Sequence, residues 1–179
     1  MPDRTPREAV ETYRQHLWDV LSCVVQGRLT VVGNPVLSTD EPHAIVLNGG
    51  NPAPLRGPLK LNFTVAQQYR LTQDVAGPAP WRAITSAYLY LLQDAQGAEL
   101  FSFHWNPSGA GAVHRPHLHL GQALAGPSTL GERFLSKLHV PSGYVSLAAV
   151  VRFAIEELAV SPLRPDWRNL LSARDQAGD

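Results

Sequence analysis

The stretch Ala83-Ile84-Thr85-Ser86-Ala87-Tyr88-Leu89-Tyr90-Leu91-Leu92 is followed by Asp94-Ala95-Gln96-Gly97 and then by Glu99-Leu100-Phe101-Ser102-Phe103-His104-Trp105. Two runs rich in aromatic and β-branched residues flank a tight polar turn, and this predicts a β-hairpin. In the return run Phe101, Phe103 and Trp105 share one face, while Ser102 and His104 share the other. A further run, Arg115 to Gly121, repeats the division, with Leu118 and Leu120 set against His117 and His119. If the aromatic and leucine faces share a core, His104, His117 and His119 look out from one side of a sheet. Phe103, Trp105, Leu118 and Leu120 are then expected to be largely buried.

Upstream, Leu59 to Thr72 alternates as a long half-buried strand. Leu59, Leu61, Phe63, Val65, Tyr69 and Leu71 oppose Lys60, Asn62, Thr64, Gln68 and Arg70. Leu29 to Leu37 and His43 to Leu47 are shorter strand candidates, and Asn48 to Pro58 reads as a Gly/Pro loop. The chain opens on a helix. Thr5 can cap it, Pro6 suits its first turn and Glu8 completes a capping box, with Gly27 at the expected end. Ser146 caps a second helix whose apolar face is Leu147, Val150, Val151, Ala154, Ile155 and Leu158. A short tail helix spans Pro165 to Ala173. Helix, antiparallel strands and helices predict an α+β fold with helices packed on one face of the sheet, and with histidine-bearing strands in its second half.

At 179 residues the chain reads as a single domain, residues 1–179. Fifteen Lys+Arg balance fifteen Asp+Glu, so any contact with nucleic acid must come from a local patch. Cys23 is the lone cysteine. That excludes an internal disulfide and a multi-cysteine zinc site, and its apolar surroundings make it a small buried hydrophobe. The polar start and short apolar runs predict no secretory signal and no membrane span, hence a cytoplasmic protein.

Five of the seven histidines lie between His104 and His139, and Glu132 is the only acidic residue between Phe101 and Tyr144. Neighbouring imidazoles can divide general base and general acid work without a metal. In RNA cleavage one takes the 2′-hydroxyl proton and the other protonates the leaving oxygen. His104, His117 and His119 are the candidate catalytic residues, and Arg115 and Lys137 the candidate phosphate contacts. No cofactor is required on this reading. A second reading is a zinc or other divalent metal site, because His-x-His on a strand is a common ligand pair that His104 or His139 could complete. A third is that these are exposed polar strand positions or histidines satisfied by backbone hydrogen bonds, or that they form a face docking a partner protein. His16, on a helix, and His43, in a Pro-flanked turn, favour a structural role. A nucleotide-hydrolysing histidine triad is disfavoured, because Gly121 stands where its third histidine belongs. No P-loop, dinucleotide fingerprint or nucleophile elbow is present.

From Tyr88-Leu89-Tyr90 through Asp94 and Gly97, Phe103-His104-Trp105-Asn106-Pro107, Pro116-His117-Leu118-His119 with Gly121, and Val145-Ser146-Leu147, the pattern resembles TumE-like toxins of bacterial toxin–antitoxin pairs. The match covers residues 88–158. The resemblance implies a small α+β ribonuclease-like toxin acting on RNA and neutralised by a cognate antitoxin. By position it marks His104, His117 and His119. It leaves residues 1–80 unassigned.

Overall fold

A computed structural model describes residues 5–33, 41–73, 81–108, 113–121, 124 and 138–177. Helix α1 (Pro6–Leu21) leads into strands β1 (Leu29–Val32), β2 (His43–Leu47), β3 (Ala53–Pro54), β4 (Asn62–Gln73), β5 (Trp81–Gln93), β6 (Glu99–Trp105), β7 (His117–Leu120) and β8 (His139–Pro141). Helices α2 (Leu147–Glu156) and α3 (Trp167–Ala177) follow. The strands form one antiparallel sheet in the order β1-β2-β4-β5-β6-β7-β8, with β3 paired to β4. The expected α+β architecture is therefore present.

The Thr5–Glu8 capping box forms in full: Thr5 Oγ1 accepts from the Glu8 amide at 3.1 Å, and Glu8 accepts from the Thr5 amide at 3.1 Å. Helix α1 stops at Leu21, not at Gly27. Ser22 Oγ donates to the Asp19 carbonyl at 2.8 Å, and residues 23–25 close back on Val20 and Leu21 in tight turns. Cys23 is fully buried, and burial pushes its thiol up to about 11, as fits a packing residue. Ser146 Oγ caps α2 by accepting from the Ala149 amide at 3.0 Å. The last helix begins at Trp167 and runs past the expected end at Ala173.

Strand β4 starts at Asn62 because Lys60 has positive φ and breaks the extended run. In the hairpin after β5, Asp94 Oδ1 accepts from the amides of Gln96 (2.9 Å) and Ala98 (2.8 Å), and Gly97 takes φ +83°. The carboxylate fixes the turn, and the turn fixes the β5–β6 register.

The core lies between the sheet and the helices. Phe63, Val65, Tyr69, Tyr90 and Leu92 meet Tyr13, Leu17, Leu147 and Val151, all buried. Gln67 is also fully buried on this face. Its Nε2 donates to Tyr13 Oη (2.7 Å) and Thr85 Oγ1 (2.8 Å), and its Oε1 accepts from Tyr90 Oη (2.8 Å). A closed network of this kind satisfies polar groups that would otherwise cost about 1–3 kcal/mol each.

Phe103, Trp105, Leu118 and Leu120 share the helix face through the pairs Phe101↔Leu120 and Phe103↔Leu118, and they are covered for the most part but less deeply than the core residues of β4 and β5. Helix cover thins toward this edge. Phe153 of α2 meets Phe101 and Phe103 edge-on, at 5.2 and 6.1 Å between ring centroids, and Tyr144 meets Trp105 at 5.9 Å.

Candidate histidine site

On the opposite face of the sheet, two cross-strand rows carry the site. One runs Ala66↔Leu89↔His104↔His117↔Pro141, and the next runs Thr64↔Leu91↔Ser102↔His119↔His139. Period-two alternation places the imidazoles on this face, and antiparallel pairing stacks them into adjacent ranks. The clustering expected of His104, His117 and His119 therefore occurs, and His139 joins it. Ring centroids lie 5.1 Å apart for His104–His117, 4.7 Å for His117–His119, 5.0 Å for His117–His139 and 4.4 Å for His119–His139.

The strand that delivers His117 and His119 is held tightly. Gly121 donates its amide to the Leu100 carbonyl at 2.8 Å, and a Cβ at Gly121 would come within 1.7 Å of the Glu99 carbonyl oxygen. Only glycine lets β7 leave β6 at that distance.

His117 is 2 % exposed, which disagrees with the reading of these histidines as exposed polar strand positions. Neighbouring imidazoles crowd it, and its ring takes a fixed set of partners. Nδ1 lies 2.7 Å from the Arg115 carbonyl oxygen, which can only accept, so Nδ1 carries the proton. In the neutral ring Nε2 then presents its lone pair, 2.9 Å from His119 Nε2. Arg115 thus enters the site through its backbone, with its side chain exposed. Lys137 lies outside the described residues.

His119 is pulled down to about 4, first by burial and then by the positive charges of His139, His117 and His104. His104 is lowered as well, by burial first and then by His117 and His139. One nitrogen from each of His104, His117 and His119 lies within 4.8 Å of the others. Among the described residues no carboxylate belongs to this group. Two nitrogens held about 2.0–2.1 Å from one ion are separated by about 2.9–3.4 Å when the ligand angle runs from a right angle to tetrahedral. The His117–His119 separation falls at the short end of that interval.

Sequence reasoning missed β8 and the buried Gln67. A three-residue strand carries too short an alternation to read, and Gln67 is polar at a position whose neighbours Val65 and Tyr69 are apolar. His43 begins β2 and is buried on the helix face, its ring 5.6 Å from that of Tyr69. His16 lies on α1. Neither belongs to the cluster. No helix among the described residues is long and apolar enough to cross a membrane. Compared with protein-family models, curated proteins and solved structures, the chain matches none.

Proposed function

We propose that this protein is a hydrolytic enzyme built on a histidine-ligated divalent metal, with His104, His117 and His119 as ligands and His139 beside them. The observation that carries this reading is the convergence of three imidazole nitrogens within 4.8 Å, with the far nitrogen of His117 donating to a backbone carbonyl. A carbonyl on the second ring nitrogen is the usual support for a metal-binding histidine, because it fixes the tautomer and the ring plane. An all-imidazole donor set suits zinc, copper, nickel or cobalt, not magnesium or calcium, which prefer oxygen. Three protein ligands leave a coordination position open, where such an ion supplies a Lewis acid.

A metal-free ribonuclease-like toxin is the second reading. Exposed Arg115, next to the cluster and able to meet a phosphate, favours it. In-line displacement at phosphorus needs the general base and general acid on opposite sides of the reacting group. His117 and His119, whose Nε2 atoms lie 2.9 Å apart, leave no room for that group between them. On this reading the wider-set pair His104 and His119, 6.2 Å between ring centroids, would divide the roles. A cytoplasmic RNA substrate and a cognate antitoxin belong to this second proposal.

One experiment separates the two. Protein purified without affinity histidines is assayed for bound metal and for RNA cleavage, before and after chelation. About one zinc-class ion per chain, lost in His117→Ala, supports the metal centre. Undiminished RNA cleavage by metal-stripped protein would replace it with the toxin reading.

A further inference from the structure

The histidine face continues into a cavity of about 170 Å³ bordered on its β6 side by His104, Trp105 and Asn106. Ala44, Ala66 and Ala87 form its small-residue floor, with Gln68 and Leu89 at its margins. These residues are cross-strand neighbours through Ala44↔Gln68, Gln68↔Ala87, Ala66↔Leu89 and Leu89↔His104. The floor is low because three adjacent strands each place a methyl group where their neighbours carry larger side chains. From Ala66 to His104 is two strand spacings, or about 10 Å. The cavity is smaller than the roughly 300–1,000 Å³ typical of drug-sized ligands, and its size suits a single ring.

Among the described residues the strands of the sheet are nearly free of acidic side chains. Strands β1, β2, β3, β4, β5, β7 and β8 contain no Asp or Glu, and Glu99 opens β6. Arg70 follows Gln68 by one full alternation on β4, about 7 Å further along the same face, and is exposed. Arg82 lies on the same face of β5, opposite Thr72. Among the described residues neither arginine is in an ion pair. Two cations on a face that carries no carboxylate among the described residues of β4 and β5 attract an anion.

We propose that this cavity is the substrate subsite of the histidine centre, and that it takes the single ring of a small phosphate ester. The ring lies on the alanine floor, the phosphate reaches toward His104, and Arg70 draws the anion in. The chemistry rests on the metal reading above, whereas the binding rests on the cavity and the charge alone.

Phenylphosphonate, a single-ring anion that is not hydrolysed, tests the binding by calorimetry on metal-loaded and metal-stripped protein. Ala66→Leu fills the floor, and Arg70→Gln removes the charge without touching a histidine. The expected result is binding weakened at least tenfold by Ala66→Leu and roughly three- to tenfold by Arg70→Gln, with phenol at least tenfold weaker than phenylphosphonate. Circular dichroism and cobalt loading, unchanged in both variants, would show that fold and metal centre are intact. No binding to the wild-type protein, or equal binding by wild type and both variants, would overturn the subsite. If the protein takes up no metal but metal-stripped protein still binds phenylphosphonate in an Ala66-dependent way, the metal reading fails and the subsite stands.

Discussion

His117 and His119 stand two residues apart on one strand, yet their Nε2 atoms lie 2.9 Å from each other. Side chains at such positions ordinarily project in parallel, about 6.6–6.8 Å apart at the backbone. The rings tip together because His117 is anchored on the Arg115 carbonyl, while His104 and His139 flank the pair from neighbouring strands. Burial and the neighbouring rings hold His104 and His119 below the ordinary imidazole range, and neutral imidazoles present lone pairs.

The first consequence is a stability that falls in acid. His119 has a folded-state pKa of about 4 against an ordinary value near 6.5. Between those two values the unfolded chain binds more protons than the folded one, so stability rises with pH across that window. Its contribution is present above about pH 6.5 and is lost as pH falls toward 4. Thermal melts of metal-free protein from pH 7 to pH 4 should show this loss, and His119→Gln should flatten it. A melting temperature equally pH-dependent in both proteins would contradict the assignment.

Gln67 should be a costly polar residue to replace. Gln67→Leu leaves the buried Tyr90 hydroxyl without its acceptor and removes both donors to Tyr13 and Thr85. The expected loss is about 2–3 kcal/mol by urea denaturation. Adding Tyr90→Phe to Gln67→Leu should recover part of it, because the hydroxyl that lost the Gln67 acceptor is then gone. A neutral Gln67→Leu would show that the network contributes no net stability.

Gly121→Ala tests the close approach of β7 to β6. Its Cβ would overlap the Glu99 carbonyl, which is backbone and cannot swing aside. A destabilisation of about 3 kcal/mol or more is expected, at the upper end for single substitutions. An unchanged melting temperature would mean that the strands separate at this point without cost.

At the edge of the core the expectation is milder. Phe103 and Phe153 meet edge-on and are each half-buried. Phe103→Ala should cost about 2 kcal/mol in chemical denaturation, below the 3–5 kcal/mol of a fully buried phenylalanine. A loss within that higher interval would place this edge inside the core proper.

The faces of β4, β5, β6 and β7 were legible because alternation is a local property of the chain, and Ser102 and His104 opposite Phe101 and Phe103 needed no tertiary knowledge. The caps at Thr5 and Ser146 were legible for the same reason. Depth of burial was not. It depends on tertiary cover: α2 covers Phe103 only in part, while neighbouring imidazoles bury His117 on the opposite face. Register was equally hidden, since only the pairing His119↔His139 across β7 and β8 brings the fourth imidazole in. The role of the Arg115 carbonyl could not be read from a residue whose side chain suggested phosphate. Gln67 escaped because a buried amide looks like any polar residue until its three partners assemble around it.

Cobalt(II) titration followed by visible absorption tests the metal centre most directly, because ligand-field bands report bound nitrogen ligands and coordination geometry. Metal-free protein at pH 7.5 should bind one cobalt per chain with intense bands of low coordination number. His117→Ala and His119→Ala should abolish those bands, while His16→Ala, on a helix at the other face of the sheet, should leave them unchanged. Absence of a stoichiometric cobalt spectrum in the folded wild-type protein, or one that persists in His117→Ala, would contradict the histidine metal centre.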